Sequence, residues 1–227
     1  MTRIAFWNVQ RLGAGTDDGR KAVLTSLAAN WKKPDAHSYC ELLTSCEWPP
    51  PQNMTYRKEN DHQLCYGALK QNGTSFLLAK NTPEATDGYR DAGYKGGNDF
   101  TQLADRALAK VGKIGGAQVY VIHAPASNNA VKVMSFIASS LNATHGTDAW
   151  LVVGDFNVEP EILAKQNPGI QVKDLIRASG SNTHYSKANN SWKELDYALA
   201  NFPVKVWAAN ASGWYPHSDH SPILLQF

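Results

Sequence analysis

Short apolar runs that each end on one ionisable or amide side chain recur along this 227-residue chain, and they restrict the folds open to it. Arg3 to Asn8, Ala36 to Glu41 and Gln118 to His123 have this form, and Trp150 to Val153 runs straight into Gly-Asp-Phe-Asn. Brief, nearly continuous apolar stretches bounded by turn residues suit strands covered on both faces. Further strands are expected near Leu195–Ala200, Val204–Ala208 and Ile223–Phe227. Two hairpins are expected. One joins Leu64–Leu69 to Ser75–Ala79 across Gln71-Asn72-Gly73, and the other joins Arg106–Lys113 to Gln118–His123 across Gly115-Gly116.

Helices are fewer. Thr16 or Asp17 can cap one that carries Leu24, Leu27, Ala28 and Trp31 on one face and stops at Pro34. A second, from about Asn129 to Asn142, aligns Val133, Ile137 and Leu141. The turn-rich stretch 46–62 reads as a surface loop, and 81–102, with Gly88, Gly93, Gly96 and Gly97, as a long irregular one. Strands outnumber helices, so the expected class is α+β or a mixed α/β sandwich, with helices covering two packed sheets. No linker or composition shift divides the chain, and residues 1–227 are expected to form a single domain.

Composition limits the functions. The net charge of +2 excludes a strongly basic nucleic-acid clamp and an acidic solvating tail, yet permits a local basic groove. Cys40, Cys46 and Cys65 are too few and odd in number for a disulfide framework; one bridge with one free thiol stays open. No apolar run is long enough to span a bilayer, and the N-terminus enters a strand at once, so neither a membrane span nor a signal peptide is expected in the given chain. The sequons at Asn53, Asn72, Asn142, Asn189 and Asn210 read as chance occurrences.

The polar strand ends carry the chemical information. Asn8, Glu41, His123, Asp155 with Asn157, Asp196, and Asp219 with His220 all sit at or just past an apolar strand. One such residue is ordinarily a turn former or a cap. Six such positions form a set, because functional groups gather on loops held by a rigid scaffold. Carboxylates and carboxamides suit a hard divalent cation, which polarises a phosphoryl oxygen. A histidine held by a carboxylate exchanges protons near neutral pH. These are the requirements of metal-assisted phosphate ester hydrolysis.

In chain order, Trp7-Asn8, Glu41, Arg106-Ala-Leu-Ala, Val121-Ile-His123-Ala-Pro, Gly154-Asp155-Phe156-Asn157, Leu195-Asp196-Tyr197 and Ser218-Asp219-His220-Ser-Pro resemble the endonuclease/exonuclease/phosphatase superfamily. Within it, the pattern looks most like deoxyribonuclease I and the B subunits of cytolethal distending toxins. The resemblance implies a four-layer α/β/β/α sandwich with its site at one end of the sheets. It implies a Mg²⁺-dependent DNA endonuclease, with Mn²⁺ able to substitute. Glu41, with Asn8 and Asp219, would hold the metal. Asp155 and Asn157 would position the scissile phosphate and the water; His220 would contact the phosphate, with Asp196 orienting its ring. His123 would be the second catalytic histidine, and Arg106 would bind a phosphate oxygen.

Two departures stand out. Deoxyribonuclease I has a glutamate that orients the counterpart of His123; the matching stretch Asp61–Lys70 offers only Asp61. The disulfide-bearing loop has no counterpart either. Asp87, Asp91 and Asp99 could bind a structural Ca²⁺, though a solvated loop is the simpler reading. His37 reads as a buried strand residue, and His217 could reach a phosphate. Arg11 and Trp48 could touch a nucleic-acid backbone or base. His62, His145 and His184 receive no role. The resemblance further implies a monomer that acts on DNA, with toxin delivery subunits as candidate partners and a secreted or delivered setting favoured over a cytoplasmic one. A phosphoinositide phosphatase of the same fold is the second reading, and a non-catalytic binding module is the third.

Overall fold

A computed structural model describes residues 1–12, 36–43, 55–59, 62–72, 75–78, 108–124, 129–165, 172–209 and 218–227, with backbone only for 9–12, 36–43, 55–59, 62–72, 75–78, 109–112 and 129. In chain order the elements are β1 (Arg3–Leu12), β2 (Ala36–Leu43), β3 (Thr55–Glu59), β4 (His62–Asn72), β5 (Ser75–Leu78), β6 (Leu108–Ile114) and β7 (Ala117–His123). Then follow α1 (Asn129–His145), β8 (Trp150–Asp155), α2 (Pro160–Lys165), α3 (Val172–Leu175), β9 (Ile176–Arg177), β10 (His184–Ser186) and β11 (Ser191–Lys193). The chain closes with β12 (Asp196–Ala200), β13 (Lys205–Ala208) and β14 (Ile223–Gln226).

Two sheets dominate. One runs β13-β14-β1-β2-β4-β3, with β5 also paired to β4; the other runs β6-β7-β8-β12-β9. Pairing is antiparallel except β1 with β2 and β7 with β8, which are parallel. β7 and β8 are buried along their whole lengths because both faces of their sheet are covered. Side chains alternate along a strand. Thus Val119, Val121, Leu151, Val153, Ala198 and Ala200 meet Ile4, Phe6, Ile223 and Leu225 between the sheets. Tyr120, Ile122, Val152, Tyr197 and Leu199 face the other way, against Val133, Met134, Ile137 and Leu141 of α1. Those helix positions recur every three or four residues, and each buried aliphatic side chain contributes roughly 1.5–3 kcal/mol.

The expected strands and the second helix are present, with ends shifted by a few residues. The β6–β7 turn is closed by Gly115 and Gly116, both at positive φ (58° and 88°), as a two-residue hairpin turn favours. The surface-loop reading of 46–62 is overturned in part, because Thr55–Glu59 is a strand and β4 already begins at His62. β3 ends its sheet, where the charged Arg57, Lys58 and Glu59 are at home and where they disguise a strand in the sequence. The β10–β11 hairpin, β9, α2 and α3 had no clear sequence signal. The expected helix after Thr16, the 81–102 loop and the second outer helical layer lie outside the described residues. No helix among the described residues is long and apolar enough to cross a membrane.

Candidate active site

Strand alternation builds the site. Ile4 and Phe6 are followed on the same face of β1 by Asn8, Val119 and Val121 of β7 by His123, and Leu151 and Val153 of β8 by Asp155; on β12, Asp196 precedes Ala198 and Ala200. Each polar residue therefore continues a stripe of the inter-sheet core by one step. Register aligns them, since His123 pairs with Asp155 across β7–β8 and Asp155 with Asp196 across β8–β12. All four side chains are buried.

Asp155 is the hub. Its Oδ1 accepts the Asn157 backbone N–H (3.0 Å), and its Oδ2 accepts from Asn8 Nδ2 (3.0 Å). The same Oδ2 lies 3.4 Å from His123 Nε2 and 3.5 Å from His220 Nε2. Asn157 takes up left-handed backbone (φ 50°), which asparagine tolerates, and its Nδ2 donates to the Ala124 carbonyl (2.8 Å). Gly154 has a steric reason, because a Cβ there would collide with the Ile122 carbonyl oxygen on β7. Phe156 stacks on Tyr197 at 4.1 Å on the helix side, and the Tyr197 hydroxyl donates to the Val158 carbonyl (3.0 Å). The apolar members of both motifs thus support the strands that carry Asp155 and Asp196.

His220 donates from Nδ1 to Asp196 Oδ2 at 2.8 Å. Burial opposes a charge on its ring, but Asp196, Asp155 and Asp219 together outweigh that and push its pKa up to about 10. Burial likewise raises the carboxyl groups of Asp155 and Asp196, and the His220 cation partly offsets the rise in both. His220, Asp155 and Asp196 share protons as a set.

The loop before β14 is tied down locally. Ser218 Oγ donates to the Asn8 carbonyl (3.0 Å) and accepts the His220 N–H (3.1 Å), while Trp7 Nε1 donates to the His220 carbonyl (2.8 Å). From the other side, Tyr185 N–H donates to the Asp219 carbonyl (2.8 Å) and Ser221 N–H to the Thr183 carbonyl (2.6 Å). Thr183 Oγ1 accepts the N–H groups of Leu195 and Asp196 (3.0 and 2.9 Å).

Sequence reasoning missed that second support and His184 with it. His184 Nε2 lies 3.9 Å from Asp219 Oδ2, and its ring centroid is 4.5 Å from that of His220. Burial, and then the His220 cation, lower its pKa. Thr183 and His184 precede Leu195-Asp196 on a short polar hairpin; their only signal was a histidine beside a hydroxyl near a motif.

The structure therefore gathers Asn8, His123, Asp155, Asn157, Asp196, Asp219 and His220 at one end of the sandwich. Glu41 is placed by its backbone alone: Asn8 pairs with Cys40, and Glu41 follows at the same end of the sheet. Arg106, Asp61, Asp87, Asp91, Asp99, Trp48 and His217 lie outside the described residues, as do the side chains of Arg11, His37 and His62. The oxygen donors fit a hard cation. Asn8 carries a carboxamide oxygen, and Asp219 a half-buried carboxylate.

This is the deoxyribonuclease I-like fold. CdtB, the biologically active subunit of cytolethal distending toxin, has a TM-score of 0.60 to the chain at 19% identity, over 99% of this chain and 97% of its own. Truncated Caenorhabditis elegans TDP2 gives 0.59 at 13% identity, over 99% and 96%. Cytolethal distending toxin from Actinobacillus actinomycetemcomitans gives 0.58 at 14% identity, over 98% and 97%. No family model and no curated protein matches the chain.

Proposed function

We propose that the chain is a divalent-metal-dependent phosphodiesterase that nicks DNA. The observation that carries this reading is Asp155 Oδ2, set 3.4 and 3.5 Å from the Nε2 atoms of two buried histidines, one of them backed by Asp196. Neighbours of the same fold, toxin CdtB and TDP2, and the nuclease-like order of motifs support the DNA substrate.

In this mechanism His220, held protonated by its three carboxylates, donates from Nε2 to a phosphate oxygen and then to the departing oxygen. The Asp155–His123 pair accepts the proton of the attacking water as its oxygen bonds to phosphorus. Asn157, fixed to Ala124, steadies the water and phosphate through what remains of its amide. A Mg²⁺ or Mn²⁺ ion at Asn8, Glu41 and Asp219 would supply charge to the phosphoryl and leaving oxygens. Arg106 would bind a phosphate oxygen.

The test is a panel of supercoiled plasmid, abasic duplex, RNA and phosphoinositides, with Mg²⁺, Mn²⁺ or chelator. Nicking in Mg²⁺ that weakens with salt and stops in chelator is expected, since a chain of net charge +2 must bind DNA through a local groove. Intact plasmid at high enzyme concentration, with a phosphoinositide dephosphorylated, would defeat the proposal.

A further inference from the structure

We infer that His184, Asp219 and His220 form a second cation site, one for a borderline transition metal such as Zn²⁺, beside the oxygen-donor site. Their ligand atoms lie within 4.8 Å of one another. His184 Nε2 and His220 Nε2 are each 3.9 Å from an Asp219 oxygen, Oδ2 and Oδ1 respectively. Around tetrahedral Zn²⁺, bonds of 2.0–2.1 Å would put donor atoms roughly 3.4 Å apart. Closing the widest gap needs up to about 0.7 Å at each of two donors, within reach of side-chain rotations.

The backbone already holds the ligands together. His184 and His220 are bridged as antiparallel strand partners, Tyr185 N–H binds the Asp219 carbonyl, and Ser221 N–H binds the Thr183 carbonyl. His220 donates Nδ1–H to Asp196, which leaves Nε2 as its ligating atom. A carboxylate behind a metal-bound imidazole is the arrangement that fixes tautomer and raises basicity. The two sites share the Asp219 carboxylate as a bridge, and their remaining donors differ in type. Mg²⁺ takes oxygen ligands, whereas two imidazoles select Zn²⁺, Co²⁺ or Ni²⁺. With Asp155 and Asp196 also close, the cluster carries enough negative charge for a second dication, and binding displaces the proton on His220 Nε2.

The consequence for turnover rests on the proposed phosphodiesterase mechanism: a metal on His220 Nε2 removes the atom that faces the phosphate. Zn²⁺ would then inhibit while Mg²⁺ is still bound.

The experiment titrates ZnCl₂ into the full chain by calorimetry with Mg²⁺ in excess, alongside H184A, H184Q and H145A, each checked by thermal melt. Glutamine keeps the bulk at 184 but ligates Zn²⁺ poorly. His145 bonds to Tyr120 at the end of α1 and serves as the control. One Zn²⁺ per chain is expected, weakened at least roughly tenfold in H184A and H184Q and unchanged in H145A. Absence of stoichiometric binding, or equal affinity in folded H184Q, would overturn the site. The readout needs no turnover, so it fails or succeeds separately from the catalytic proposal.

Discussion

Replacing Asp196 with asparagine probes the most tightly defined contact in the site. Asp196 is fully buried and accepts His220 Nδ1–H at 2.8 Å, and its own N–H is held by Thr183, so the nearly isosteric amide leaves the backbone and packing undisturbed. Only the charge is removed. Two unit charges about 4 Å apart interact by roughly 4 kcal/mol at an effective dielectric of about 20, but burying the carboxylate offsets much of that. Hydrogen bonds to charged groups are worth about 1.5–3 kcal/mol net, which equals a fall of roughly one to two pH units in the proton affinity of His220. Asp155 and Asp219, at 3.5 and 3.9 Å, still favour the proton, so the ring stays charged at neutral pH but is held by a weaker, neutral acceptor. Turnover should drop roughly 10²–10⁴-fold. Imidazole NMR titration in chelator reads the first effect, and plasmid nicking reads the second. An unchanged His220 titration together with near wild-type nicking in D196N would refute the reasoning.

Other parts of the frame make separate predictions. S218A removes the Ser218 tie to the Asn8 carbonyl on β1 and the bond that Ser218 accepts from the His220 N–H; a loss of about 1–3 kcal/mol in denaturant melts is expected, with slower turnover. G154A would push β7 and β8 apart at Ile122, costing about 1–3 kcal/mol by overpacking and reducing activity further by separating Asp155 from His123. In metal-free protein, the raised pKa of His220 stabilises the fold fully below its ordinary value of 6.5, and the contribution disappears as pH climbs through about 10. The melting advantage of wild type over H220Q should therefore shrink across that window; an advantage that grew with pH would contradict the sign.

Much of the site was legible because it obeys strand periodicity. Val119-Val121-His123 and Leu151-Val153-Asp155 place each polar residue on the face its apolar neighbours bury, and the motif order supplied the rest. The apolar runs marked the central strands for the same reason. β3 escaped because charged residues on an edge strand mimic a loop. The β10–β11 hairpin escaped because three-residue polar strands have no period to detect, and its partner is the distant Asp219–Ser221 loop rather than a neighbouring run. His184 enters the site through that pairing alone, so no local pattern could announce it.

The most direct test compares Mg²⁺-supported nicking of supercoiled plasmid by wild type and Asp155→Asn under single-turnover conditions, with both proteins matched by circular dichroism. Neutralising the carboxylate between His123 and His220 should slow cleavage at least about 100-fold while the fold is retained. Cleavage by folded D155N at the wild-type rate would mean that the chemistry takes place elsewhere on the molecule.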